Sequence, residues 1–277
     1  MANQMRMTIS IIALFLLTNA VQIVNAQYLQ LLKHDFASPI SEVSQDRYGN
    51  IYVIAQGGVI HQFDSTGKQQ LIYSPPVVAD ITIFEARSTV RFFAFYRDLQ
   101  SFSLLNRFLT PIENYKFDEE KIRFARVANL SADNQVWLVD DIDFSIKKWD
   151  KNFNTITLRT PLDLLFVEKD YDINYICEYQ NQLFLNDKST GILLFDNLGN
   201  FMRKIELSKG TDYFNFLEEE IYFLENNEIR LIHLYTNAER KMGLPDIKQN
   251  QAVKRVLLRK NKLFIFTEKS MYLFQNQ

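Results

Sequence analysis

The chain has 277 residues, is 47% hydrophobic and carries a formal net charge of −2, with a pI near 6.0. That length suffices for one large domain, and no basic stripe is present to meet backbone phosphates, so nucleic acid is not expected as a partner. The 23 Phe and 13 Tyr favour strands, and only 8 Gly leave the turns to Asn, Asp and Ser.

Residues 1–26 carry the pattern of an export signal. Arg6 lies near the amino terminus, ISIIALFLL is the apolar stretch, and VNA at 24–26 puts small side chains before Gln27, the expected first residue of the mature chain. The apolar run is short for the roughly 20 residues of a membrane span, and no cysteine adjoins the cleavage point to take a lipid. No later segment is long and apolar enough to cross a bilayer. The mature chain is expected in the periplasm or outside the cell, or peripheral to the outer envelope through a partner. Residues 27–277 read as one domain.

From residue 28 onward the chain repeats. YLQLLKHDF (28–36) stands ahead as an unmatched strand. The first unit then runs PISEV (39–43), the turn DRYGN (46–50), IYVI from Ile51, VIHQF (59–63) and the turn DSTGK (64–68). Equivalent second strands begin at Phe92, Val136, Leu183, Ile221 and Leu263, separated from Ile51 and from one another by 41, 44, 47, 38 and 42 residues. Upstream strands recur at 79–84, 123–130, 173–178, 213–217 and 253–258. This is the spacing of four-stranded blades. One small sheet cannot bury both faces alone, and packing like sheets around an axis does so. LDLLF (162–166) reads as a helical turn or an added strand. The sixth unit stops at its third strand, YLFQNQ, which the strand at 28–36 would complete. The expected fold is an all-β six-bladed propeller, closed by its N-terminal strand in the last blade, and monomeric.

DRYGNIYVIAQGGVIHQFDSTGKQQLIY (46–73) resembles a blade of the six-bladed NHL-like and TolB-like propellers. Asp46, Gly49, Asn50, Ile51, Tyr52 and Val53, followed by Phe63, Asp64 and Gly67, carry the likeness. NQVWLVD (134–140) with KKWDKNFN (147–154) and LLFDNLGNFMRKI (193–205) repeat parts of it. The resemblance implies a ligand-facing central channel and no single activity. Gluconolactonase-like propellers are similar in ring size and hold one divalent cation with carboxylates and amides. Glu42 in SPISEV lacks the sequence context of their first-blade glutamate.

Inner strands line the axis of such a ring, so Glu42, Asp80, Arg126, Asn174, Asp212 and Arg255, one from each unit, are the candidate channel ligands. Their mixed charge suits a polar ligand or a solvated channel. DDIDF (140–144) gathers three carboxylates but lacks the spaced oxygens of a calcium loop. NLS (129–131) matches an N-glycosylation acceptor. Cys177, the single cysteine, reads as a buried structural thiol. His34, His61 and His233 have no serine or cysteine at a catalytic spacing. Core aromatics such as Tyr52 and Trp137 read as packing between blades. No catalytic set, metal site or cofactor is expected. The leading function is a non-catalytic binding or scaffold protein for a protein or small polar ligand. The alternative is a metal-dependent hydrolase or lactonase with its site in the channel.

Overall fold

Each repeat unit folds into an antiparallel sheet in the computed structural model, which describes residues 22–24, 28–75, 78–88, 90–166, 171–208, 210–247 and 251–276. Two strands precede the first unit, β1 (Gln22–Val24) and β2 (Tyr28–Asp35). Blade one is β3 (Ile40–Gln45), β4 (Ile51–Ala55), β5 (Val59–Phe63) and β6 (Gln69–Tyr73). Blade two is β7 (Ile83–Glu85), β8 (Phe92–Tyr96), β9 (Ser101–Leu105) and β10 (Pro111–Lys116). Blade three is β11 (Ala125–Leu130), β12 (Val136–Asp140), β13 (Ser145–Asp150) and β14 (Thr155–Pro161). Blade four is β15 (Ile173–Tyr179), β16 (Gln182–Asp187), β17 (Gly191–Asp196) and β18 (Phe201–Ile205). Blade five is β19 (Phe214–Leu217), β20 (Glu220–Glu225), β21 (Glu228–His233) and β22 (Glu239–Gly243). Blade six takes β23 (Arg255–Arg259), β24 (Lys262–Phe266) and β25 (Ser270–Asn276) from the end of the chain and β2 from its beginning.

The fold is therefore an all-β propeller of six antiparallel blades. In blade six, β2 pairs antiparallel with β25 from Tyr28 opposite Asn276 to Asp35 opposite Ser270. The innermost strand β23 lies beside β3, which brings the last blade against the first. The expected leader, residues 1–26, lies outside the described residues except for Gln22–Val24. Those three pair in parallel with the outer strand β22 of blade five. No helix among the described residues is long and apolar enough to cross a membrane. LDLLF forms neither helix nor strand. It is a turn in which the Leu165 N–H donates to the Leu162 carbonyl at 2.9 Å, with Leu162 and Phe166 buried in the core.

The turn chemistry explains why so little glycine suffices. In DRYGN, Asp46 Oδ1 accepts the backbone N–H groups of Tyr48 and Asn50, both at 2.9 Å. Its Oδ2 accepts the Asn50 amide at 2.8 Å and the Tyr52 hydroxyl at 3.1 Å. Gly49 takes φ +90°, which side chains resist, and a Cβ there would run into the Arg259 guanidinium. Asn134, Asn154, Asn181, Asn226, Asn227 and Asn237 hold positive φ at other turns, as the asparagine amide allows.

Packing sits between blades. The second-strand aromatics Tyr52, Phe93, Trp137, Phe184, Tyr222 and Phe264 are all buried. At the junction of the last and first blades, Phe36, Phe63, Leu257, Phe264, Met271 and Leu273 form one apolar cluster. Phe36 and Phe63 also meet His34 and His61 edge to face at 4.7–5.1 Å. Polar contacts reinforce the junction. Arg259 donates to the carbonyls of Asp46 and Arg47 at 3.3 and 3.2 Å, and Gln45 Nε2 donates to the Leu258 carbonyl at 3.3 Å.

This junction is the point at which the ring can open. Removing Tyr28–Asp35 exposes the edge of β25 and is expected to lower the thermal midpoint sharply. Phe36→Ala is expected to cost about 3–5 kcal/mol in urea unfolding. An unchanged midpoint in either variant would refute closure through blade six.

Candidate functional site

The channel mouth is built by a recurring irregularity in the inner strands. Pairing of β3 with β4 skips Ser41, pairing of β11 with β12 skips Arg126, and pairing of β15 with β16 skips Asn174. Such bulges leave one residue unpaired and redirect its side chain. Two of the three bulged residues, Arg126 and Asn174, line a cavity of about 190 Å³ at the mouth where the inner strands begin. Glu42, Asp212 and Arg255 line it too. Five of the six sequence candidates thus come together, each from a different blade.

Asp80 is the exception. Strand β7 begins only at Ile83, so Asp80 falls in the connection before it. There its carboxylate accepts the Gly57 N–H at 2.7 Å, in an exposed turn of blade one. Blade two reaches the mouth through Thr82 and Arg97 instead. An extended reading of ADITIF placed the strand too early, and nothing local marked the difference.

Most charges at this mouth are already partnered. Arg126 grips Asp141 with two N–H groups at 2.6 and 3.1 Å, and its guanidinium lies over Tyr171 at 5.2 Å. Asn174 donates to the Asp212 carbonyl at 2.6 Å and accepts from Asn186 at 2.6 Å. Arg255 donates to the Ser41 carbonyl at 2.8 Å and to Glu42 Oε1 at 2.9 Å, and it covers the Tyr213 ring at 5.2 Å. Burial pushes the Glu42 carboxyl up to about 7, outweighing the nearby Arg255 and the Val43 N–H.

The opposite mouth, where the inner strands end, is larger. A groove of about 690 Å³ runs across blades two to four and reaches Arg47 of blade one. Its central pair is Glu85 and Arg87, which the sequence did not single out. Arg87 donates its backbone N–H and Nε to Glu85 Oε1 at 2.8 and 3.0 Å, and its Nη2 contacts Glu85 Oε2 and the Tyr175 hydroxyl. Burial pushes the Glu85 carboxyl up, but Arg87 more than offsets this and holds it below its ordinary value. Tyr179 and Phe216 stack at 4.0 Å beside Arg87. Arg87 lies two residues past the end of β7 in a loop, where strand periodicity carries no information.

The remaining sequence candidates are structural. In DDIDF, Asp140 pairs with Lys147 at 2.8 Å, Asp141 with Arg126, and Asp143 with Arg159 at 2.8 Å. Among the described residues, no group of three or more His, Cys, Asp or Glu converges as metal ligands would. Asn129 of NLS is buried and donates to the Ile176 carbonyl at 3.0 Å, so the folded protein does not present it for glycosylation. Cys177 is buried and its thiol is pushed up to about 11 by that burial. His233 contacts Glu219 at 3.3 Å.

No protein-family model matches the chain, and no curated protein matches it. Solved structures do resemble it in fold. Virginiamycin B lyase from Staphylococcus aureus aligns with TM-score 0.60 at 9% identity, over 90% of this chain and 99% of that one. The WD40 domain of Neurospora crassa Pan2 aligns at 0.58 and 9%, over 93% and 97%. BamB from Moraxella catarrhalis aligns at 0.50 and 12%, over 92% and 100%. At such identities the likeness shows the propeller fold alone.

Glu42 yields a pH test. An unfolded glutamate loses its proton near 4.5, whereas Glu42 in the folded protein holds it to about 7. The folded state therefore binds more proton across that window, and this group's contribution to stability falls as pH rises through it. Glu42→Gln is expected to remove about 1–3 kcal/mol of this decline, read as the difference in urea midpoint between pH 5 and pH 8. An identical decline in the variant would refute the assignment.

Proposed function

We propose that the protein is an exported, non-catalytic binding propeller of the NHL-like or TolB-like kind, acting as a monomer in the periplasm or outside the cell. It recognises a protein or small polar ligand at the mouth lined by Glu42, Arg126, Asn174, Asp212 and Arg255. The observation that carries this reading is the convergence of those five side chains, from five blades, on one small polar cavity.

The cavity size narrows the ligand. About 190 Å³ lies below the ~300–1,000 Å³ of drug-sized sites. It suits a small polar molecule or one polar side chain of a partner. The preformed hydrogen bonds of Arg126, Asn174 and Arg255 favour recognition over reaction, because each group is already held rigidly. A hydrolase centred on a divalent cation would need converging oxygen ligands, and the carboxylates here are either spread around the ring or tied to arginine. The export reading rests on the leader pattern in residues 1–26 and Gln27.

Two measurements test this. Mass spectrometry of protein recovered from an exporting host is expected to find Gln27 at the amino terminus. Retention of residues 1–26 in a membrane fraction would overturn export. A thermal-shift screen with small polar acids, amines and sugars is expected to give a stabilising ligand whose shift is lost in Asp212→Asn and retained in Asp80→Asn. A shift unaffected by Asp212→Asn would move the site elsewhere.

A further inference from the structure

The outermost strand of each blade is an edge, and one of the six edges differs from the rest. A free strand edge invites pairing with another chain, and natural sheets interrupt it with a bulge. Five of the outer strands carry one extra residue against their neighbour. These are Leu31 in β2, Gln70 in β6, Ile112 in β10, Thr157 in β14 and Met202 in β18. Strand β22 of blade five has none. Its pairing with β21 runs without a shift from Glu228 opposite Gly243 to Ile232 opposite Glu239.

The regular edge is also the one that is filled. Gln22–Val24 pairs with it in parallel, with Gln22 opposite Arg240, Ile23 opposite Lys241 and Val24 opposite Met242. Among the described residues no other blade has a fifth strand. Gln22–Val24 belongs to the expected leader, so a cut before Gln27 separates β1 from the domain and opens this edge. The charged side chains of β22 are already answered within blade five. Glu239 is held by Arg230 at 2.6 Å, Arg240 by Glu220 at 2.5 Å and Lys241 by Glu228 at 3.2 Å. An incoming charged strand therefore finds no free counter-charge on β22. Met242, opposite Val24, packs with Leu244 and Ile247 against the apolar cluster between blades five and six. An uncharged segment with β-branched residues, like Gln-Ile-Val, fits both facts.

We propose that the edge of β22 is a strand acceptor. Once the leader is removed, it takes an uncharged, β-branched extended segment of a partner protein as a parallel fifth strand in place of Gln22–Val24. Main-chain hydrogen bonds hold such a strand, and alternate side chains set its preference. The timing of the opening rests on the export reading. The site itself does not depend on the ligand proposed for the first mouth.

The test is fluorescence polarisation with a labelled peptide of residues 19–26, NAVQIVNA, carrying an added lysine at each end for solubility. The chain that starts at Gln27 is expected to bind it saturably. A chain that starts at Asn19 keeps β1 on the edge and is expected to bind at least about tenfold more weakly, because the attached strand competes at high effective concentration. Hydrogen exchange is expected to slow across 239–243 on binding and to stay unchanged across 201–205, the bulged edge of blade four. The peptide with Ile23→Pro lacks a main-chain donor and is expected not to bind. An alanine inserted between Arg240 and Lys241 gives β22 the extra residue of the other outer strands. That variant is expected to lose binding while still unfolding cooperatively. Should it fail to fold, the proline peptide and the exchange map decide the matter on the unaltered domain. Equal binding of the proline peptide, protection outside 239–243, or no saturable binding would overturn the proposal. Dimerisation of the Gln27 chain that blocks the peptide would assign the edge to a second copy and overturn it as well. Retention of residues 1–26 in the exported protein would sink the export reading, whereas the acceptor stands or falls on the titration of the Gln27 chain.

Discussion

The ring depends on one junction, where the first and last parts of the chain share blade six. Each small sheet has two apolar faces, and each face is covered only if a neighbour stands on that side. Five of the interfaces join units consecutive in sequence. The sixth must be made by residues from opposite ends of the chain. The pairing of β2 with β25 supplies the backbone part. The cluster around Phe36, Phe63 and Leu273 supplies the apolar part. Arg259, reaching two carbonyls of the DRYGN turn, holds the inner edge. Loss of any of these weakens a contact between segments far apart in sequence, for which chain connectivity gives no compensation.

Around the axis the packing problem is different. Inner strands converge where there is no room for large apolar side chains from six blades, and polar groups fill the space. Several of them are satisfied across blades as well as within them. The Ala86 N–H donates to the Ser44 hydroxyl at 3.0 Å, Asn129 to the Ile176 carbonyl, Asn174 to the Asp212 carbonyl and Arg255 to the Ser41 carbonyl. These bonds couple neighbouring blades and fix the mouth residues in place. A buried polar network is rigid when complete and costly when a member is missing.

The two mouths follow from the direction of the inner strands. At their beginnings, bulges bring Arg126 and Asn174 toward a small cavity whose charges are largely matched. At their ends, the longer connection after β7 and the turns after β11 and β15 frame a wider groove. Cys177 lies on the inner strand between them, with a thiol that burial keeps protonated at neutral pH, so it contributes volume rather than reactivity.

Most strand positions, the number of blades and the strand that completes the last one were legible in the sequence, because alternation and Asp-x-x-Gly-Asn turns are written into adjacent residues. Four of the five converging channel candidates lie on inner strands, which must face the axis, and Asp212 stands two residues ahead of β19. What the sequence could not supply is where a strand's pairing begins or slips, and which side chains meet across blades. Asp80 fell outside its strand, His34 met Phe63 and Phe36 met His61 across the junction, and the Glu85–Arg87–Tyr175 cluster joined blades two and four. Those outcomes are decided by the packing of sheets around the axis, where contacts link residues that no local pattern connects.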